Sequence, residues 1–411
     1  MVLKFFLLLC LTTLVCAADY PTVDALPPSK TAPDPLVMFD GTKVTSKEQW
    51  QQKRRPELRA LFAHYMYGEL PAKAAVKGRV IHEDTAAFGG KGILREVELT
   101  FDLPNSPRVY LLLALPKSEK PVAAFLGLNF TGNHTLTKDP KVRIPTAWMY
   151  PKGKGAVGNK ASEADIGTAI DTWSLETVIS RGYGVATMYV GELEADRADV
   201  REGAFPRPTK PASGSEGATI VRWVWGLLRT LDYLETVREI DAKRVAVVGH
   251  SRLGKTALLA AAMDDRLAMS IPHQAGCGGT APSRGTVGES VQRINTVFPH
   301  WFDDNFKTFN TKTDRLPFDQ NCLAALVAPR PILFTNAEKD TWANPVGQFE
   351  TLLGAEGVYR FLGVEGLASK ALPKTGEPML SRMGYAVRTG DHSMTPDDWK
   401  IFLDFADKWL K

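Results

Sequence analysis

Metal-ligand spacings, long apolar runs, low-complexity tracts and a dominant charge of either sign are all missing from this chain of 411 residues. Its four cysteines and seven histidines are scattered, with no C-x-x-C pair among them, so neither a metal nor a cofactor is expected. The formal charge is +4, with basic residues spread along the chain rather than gathered in blocks, which argues against a nucleic-acid partner. The most concentrated apolar run, Phe5 to Val15, is too short to span a bilayer comfortably. With Lys4 before it and Ala17-Ala18 after it, the run has the layout of a cleaved secretory signal over residues 1–18. Leu9 and Val15 precede Cys10 and Cys16, where a lipoprotein-type signal would want a small residue. The mature chain is therefore expected to be secreted or periplasmic, and free of the membrane once the signal is removed. Two cysteines remain, Cys277 and Cys322. An oxidising compartment permits a disulfide between them, and two separately buried thiols are equally compatible with the sequence.

What is present reads as one globular α/β unit behind an extended arm. The hydrophobic share of 44% is enough for a packed core, and the chain carries no obvious repeat. The arm, residues 19–44, contains the proline-rich PTVDALPPSKTAPDP. The α/β unit is expected over residues 45–411. It begins with an amphipathic helix in which Leu58, Leu61, Phe62, Tyr65 and Met66 recur at helical spacing, ending before Gly68. Apolar or alternating runs at 94–101, 108–115, 121–129 and 183–190 predict strands, and 218–236 predicts a long helix. A strand at 244–248 is followed by an apolar helix at 257–263. Further strands are predicted at 268–273, 331–336 and 358–362, with a closing helix at about 396–410. Strands alternating with helices imply a mostly parallel sheet covered by helices on both faces.

Between the 244–248 strand and the following helix lies GHSRLGKT, residues 249–256. The string fits G-x-x-x-x-G-K-[ST], a phosphate-binding loop, and it also places Ser251 where a serine hydrolase turns sharply from strand to helix. Export weighs against the first reading, because nucleotides are scarce outside the cytoplasm. Position weighs against it too: phosphate loops usually follow an early strand, whereas this one follows about the fifth. A serine nucleophile needs an acid and then a histidine downstream. Asp340 follows the 331–336 strand in AEKDTWANP, and His392 lies in RTGDHSM before the last helix. His134, His250, His273 and His300 compete for the base, and Glu338 and Asp391 for the acid. The backbone N–H of Arg252 is placed for an oxyanion hole. Lys255 falls one helical turn after Ser251 on the same face. One feature departs from G-x-S-x-G: Leu253 replaces the second glycine, which arrives one residue later as Gly254.

The string GHSRLGKTAL resembles the bacterial glucuronoyl esterases, carbohydrate esterase family fifteen. So do GLNFTGNHT upstream and GESVQRINTVFPHWFDDNF, NCLAALVAPRPIL, DTWANP and GDHSM downstream. The displaced glycine is that family's form. The resemblance implies an α/β-hydrolase fold and a serine esterase acting on esters of (4-O-methyl-)glucuronic acid. Such esters link glucuronoxylan to lignin. It implies that the Arg252 guanidinium contacts the oxyanion, and that Lys255, Glu289 and Trp342 contact the sugar. Much of the family carries a glutamate where this chain has Gln274, which leaves Asp340 as the expected acid. An acetyl or feruloyl carbohydrate esterase of the same fold, or a non-catalytic polysaccharide-binding protein, remains open on the residues alone. A monomer is expected, and Asn129, Asn133 and His134 are read as loop residues, with two N-x-T sequons.

Overall fold

The computed structural model describes residues 20–104, 108–151, 156–199 and 217–411. The expected signal, residues 1–18, lies outside the described residues. Nine strands form one sheet: β1 (Val76–Asp84), β2 (Gly92–Phe101), β3 (Arg108–Pro116), β4 (Val122–Asn129), β5 (Gly184–Tyr189), β6 (Ile240–His250), β7 (Met269–His273), β8 (Ile332–Ala337) and β9 (Met383–Arg388). Their spatial order is β1-β2-β3-β5-β4-β6-β7-β8-β9. The first three strands run antiparallel, and from β5 across to β9 every neighbouring pair is parallel.

Burial on both faces explains why the central strands were legible. Along β4 and β6 successive side chains enter opposite cores: Ala124, Leu126, Val245 and Val247 on one side, Phe125, Ala246 and Val248 on the other. Strands covered on both faces need apolar residues at every position rather than at every second one. Helices α1 (Arg55–Phe62), α2 (Thr219–Leu234), α3 (Arg252–Met263) and α4 (Pro345–Phe361) supply the first core. Helix α5 (Pro396–Trp409), with Val178 and Ile179, supplies the second. The sheet is therefore clad by helices on both sides, as expected.

Three elements differ from expectation. β1 was not foreseen because it is a polar edge strand, with Lys77, Arg79, Val80 and Glu83 exposed and no apolar alternation. The serine motif consequently follows the sixth strand. The segment 358–362, predicted as a strand, lies at the end of α4, whose Phe349, Leu352, Ala355 and Tyr359 are buried at helical spacing. Glycines 347, 354 and 357 interrupt that pattern in the sequence. The last strand is instead β9, six residues within a stretch rich in turns. Ser251, Asp340 and His392 thus follow β6, β8 and β9 rather than consecutive strands.

The arm is held by carbonyls, since its prolines have no N–H to give. Pro21, Pro33 and Pro35 accept from Tyr65, Asn321 and Arg54 at 2.7, 2.9 and 3.0 Å. Cys277 and Cys322 are separate buried thiols, so the permitted disulfide is not formed. Burial pushes them up to about 12 and about 11, which leaves them protonated and inert.

Helix α3 carries the nucleophile and is packed almost throughout, with Leu258 fully buried. Leu258→Ala is expected to cost about 2–5 kcal/mol in denaturant unfolding, through lost burial and a residual cavity.

Candidate active site

Strand β6 ends at His250 and α3 begins at Arg252, leaving Ser251 alone in the turn with φ 58° and ψ −126°. A non-glycine residue persists in such a conformation only when its surroundings fix it, at a cost on the order of 1–3 kcal/mol. Here the Ser251 N–H donates to the His273 carbonyl at 2.9 Å, and the Ser251 carbonyl accepts from Gly254 and Lys255 at 2.9 and 3.2 Å. The glycines have steric reasons. A Cβ on Gly249 would lie 2.1 Å from the Leu253 carbonyl oxygen, and one on Gly254 would lie 2.9 Å from the Gly249 and His273 carbonyl oxygens. The displaced glycine is where the helix crosses the strand ends, and Leu253 is buried. A one-residue turn leaves no loop to wrap a phosphate. The Lys255 ammonium is also turned inward, donating to the carbonyls of Ala275 and of Cys277, the latter at 2.6 Å.

His392 follows β9, and its Nδ1 lies 2.6 Å from Oδ2 of Asp340, which follows β8. The carboxylate can only accept, so Nδ1 carries the proton and Nε2 is left basic. Asp340 is buried, and its other oxygen receives the Ala343 N–H at 3.3 Å. Glu338 and Asp391 are exposed, and neither bonds the imidazole in this structure. Ser251 and His392 line one cavity of about 650 Å³, together with Phe130, Trp148, Tyr150 and Tyr189.

Gln274 sits at the end of β7, also at positive φ (49°). Among the described residues, its side chain bonds His250 and Ser393 rather than the His392 ring. The carbonyl oxygen Oε1 accepts from the backbone N–H of Ser393 at 2.9 Å and lies 3.0 Å from His250 Nε2. Among the described residues, its amide nitrogen is buried without a partner. Of the competing histidines, His134, His273 and His300 are buried, whereas His250 is half-buried and lines the same cavity. Loss of solvent around the His250 ring, with two other imidazoles beside it, holds its pKa well below the usual value. His273 bonds Thr335 Oγ1 and the Ser393 carbonyl at 2.7 and 2.8 Å.

The Arg252 guanidinium pairs with Asp196, whose Oδ1 also accepts from His300 at 2.9 Å and Trp301 at 2.7 Å. It is enclosed by rings, 4.9 Å from the Trp301 centroid and 5.4 Å from that of Phe130. Across β6, the loops after β7 and β8 bring Glu289 and Trp342 together: the Glu289 N–H donates to the Trp342 carbonyl at 3.0 Å. Burial raises the Glu289 pKa, opposed by the Lys255 charge and the Trp342 indole. Trp342 is itself exposed. Asp196 and the aromatic walls were not foreseen. They come from separate loops, and only folding places them beside Arg252. Asn129 and Asn133 are buried and bonded to one another at 2.9 Å, so neither sequon is presented for glycosylation.

The chain is similar to several known proteins. A family model for fungal glucuronyl esterases matches residues 172–363. A carbohydrate esterase from an unidentified prokaryote is 45% identical over 93% of this chain and 90% of its own length. A 4-O-methyl-glucuronoyl methylesterase of Cerrena unicolor is 28% identical over 81% of this chain, which spans 62% of that enzyme. Among solved structures, a promiscuous esterase of carbohydrate esterase family 15 from a marine bacterial metagenome superposes with TM-score 0.87 at 43% identity, covering 94% of this chain and 99% of that one. A glucuronoyl esterase from Solibacter usitatus superposes with TM-score 0.86 at 35% identity, covering 94% and 100%.

Asp340→Asn is expected to lower kcat by about 10³–10⁴-fold, because it leaves the imidazole with the wrong proton and no compensating charge. Glu338→Gln and Asp391→Asn are expected to stay within about twofold, as exposed substitutions away from the ring. Initial ester-hydrolysis rates of the three variants check this.

Proposed function

Because the chain belongs to the glucuronoyl esterases of carbohydrate esterase family 15, we propose that it hydrolyses esters of (4-O-methyl-)glucuronic acid through an acyl-enzyme on Ser251. The observation that carries the mechanism is the Asp340–His392 pair, whose imidazole lines one cavity with a strained serine turn. Attack of the Ser251 oxygen on the ester carbonyl would pass its proton to His392 Nε2. Asp340 would balance the resulting imidazolium. Negative charge on the carbonyl oxygen would meet the first N–H groups of α3 and the Arg252 guanidinium, each such donor contributing on the order of 10²–10³ in turnover. The proton then returns to the departing alcohol, and a water repeats the sequence to release the acid.

The sheet order supports a division of the substrate about Ser251. Strands β7 and β8 lie on one side of β6, and β4 and β5 on the other. Lys255, Glu289 and Trp342 belong to the first side and offer an ammonium, a carboxylate and an indole N–H to a uronate ring. Two of the three Lys255 donor directions serve the 275–277 loop, so one remains for sugar. The aromatic cavity belongs to the second side and suits the alcohol half. Its rings also make aromatic acyl esters the second reading, ahead of acetyl esters. A non-catalytic role is disfavoured by the intact pair and the sustained backbone strain.

The proposed substrate partner is glucuronoxylan or a lignin-carbohydrate ester, approached by an exported monomer. Among the described residues no helix is long and apolar enough to cross a membrane.

The mature protein is expected to turn over methyl and benzyl glucuronate in preference to an acetyl ester, and Ser251→Ala to abolish that activity. Tyr150→Ala is expected to raise KM for the benzyl ester about threefold to tenfold, with little change for the methyl ester. Comparable acetyl turnover by the wild type would instead support an acetyl esterase of the same fold.

A further inference from the structure

Ser393, the residue after His392, has both of its backbone polar groups clamped. Its N–H is received by Gln274 Oε1, and its carbonyl accepts from His273 Nε2 at 2.8 Å and Arg388 Nη2 at 2.8 Å. Arg388 is in turn fixed by Asp398 at 2.8 Å, and Asp398 caps α5. The peptide that carries the catalytic imidazole is therefore tied to β7, β9 and α5 together. Three of these ties involve a charged side chain or an imidazole; Gln274 contributes a neutral amide.

The amide orientation is set by chemistry. A backbone N–H can only donate, so the atom facing Ser393 is the Gln274 carbonyl, and His250 must then donate from Nε2 to the same oxygen. One oxygen thus joins the histidine beside the nucleophile to the backbone beside the base. The rings form a short row, with His250 4.5 Å from His392 and 5.2 Å from His273. The charged and titratable groups around the row are Arg252 from α3, Arg388 from β9, Asp398 from α5 and Asp340 after β8. Among the described residues, the hydrogen-bond partner of the His250 ring is Gln274 and not a carboxylate.

We propose that Gln274 is a positioning residue for the esterase reaction: its carbonyl holds the His392 loop in register, and its lack of charge leaves Asp340 as the acid that His392 senses. This rests on the esterase reading above. A carboxylate at 274 would keep the acceptor but place a second negative charge within one ring of His392, favouring protonation of the row. An isosteric side chain without an acceptor would leave two half-buried N–H donors, those of His250 and Ser393, without this partner.

Two variants separate these effects: Gln274→Met fills the space without accepting, and Gln274→Glu accepts but is charged. With methyl glucuronate, Gln274→Met is expected to lower kcat by about 10- to 100-fold with KM within about threefold, the fold-change that losing one or two half-buried hydrogen bonds at the His392 loop converts to. Gln274→Glu is expected to keep kcat within a few-fold at high pH, while the acid limb of its kcat/KM profile moves to higher pH. Ring-nitrogen NMR of His392 in the free protein supplies a readout independent of turnover. There Gln274→Glu should raise the pH at which His392 titrates, and Gln274→Met should broaden or shift the His392 resonances. If Gln274→Met matches wild type in kcat and in the His392 spectrum, or if Gln274→Glu leaves the His392 titration in place, the proposal is overturned. If wild type hydrolyses no glucuronate ester yet the two variants change the His392 titration as described, the positioning role stands and the substrate reading falls.

Discussion

The whole site depends on how closely α3 returns over the end of β6. That crossing admits no Cβ at Gly249 or Gly254, forces Ser251 to positive φ, and ties its N–H to the neighbouring strand. The consequence is a hydroxyl fixed at the rim of the sheet, with the unbonded N–H groups of a helix beginning beside it. The strain is borne by the packing of α3, whose residues from Leu253 to Ala262 are nearly all sealed in the core.

Around that turn the protein relies on buried polar groups that are satisfied in pairs. In Asp340 with His392, Asp196 with Arg252, Asp398 with Arg388, and Lys255 with two carbonyls, at least one partner is buried, and all but Asp398–Arg388 join separate loops. Removing one partner of such a pair exposes the other to an apolar interior, which costs far more than the pair itself contributes. These contacts hold the loops after β5, β7, β8 and β9 in one arrangement, and the site is the region where the loops converge.

Legibility in the sequence followed burial only in part. β4, β5 and β8 are covered on both faces and were visible as unbroken apolar runs, and β1 is an exposed edge without that signal, but β9 is buried over most of its length and was missed because it is short and set among turns. The misreading of 358–362 has the same origin: a short apolar run does not reveal whether its neighbours repeat every second or every third residue. Ser251, Asp340 and His392 were accessible from chain order alone. Gln274 was noticed only as a missing charge, because its contacts to His250 and Ser393 bridge 24 and 119 residues of sequence. The aromatic cavity was invisible for a similar reason, since Phe130, Trp148 and Tyr189 acquire a common role only in space.

β1 bears on a different property. A sheet open at its ends offers unpaired backbone groups to any passing strand, and long apolar edges are where chains of the same kind join. This edge presents Lys77, Arg79 and Glu83 to solvent, and Gly78 is covered by the ring of Tyr233. A second copy docking there would have to strip water from charges of both signs for little apolar contact. The polarity that hid the strand from sequence reading is thus a colloidal safeguard, keeping the sheet from growing into a neighbour when the protein is concentrated.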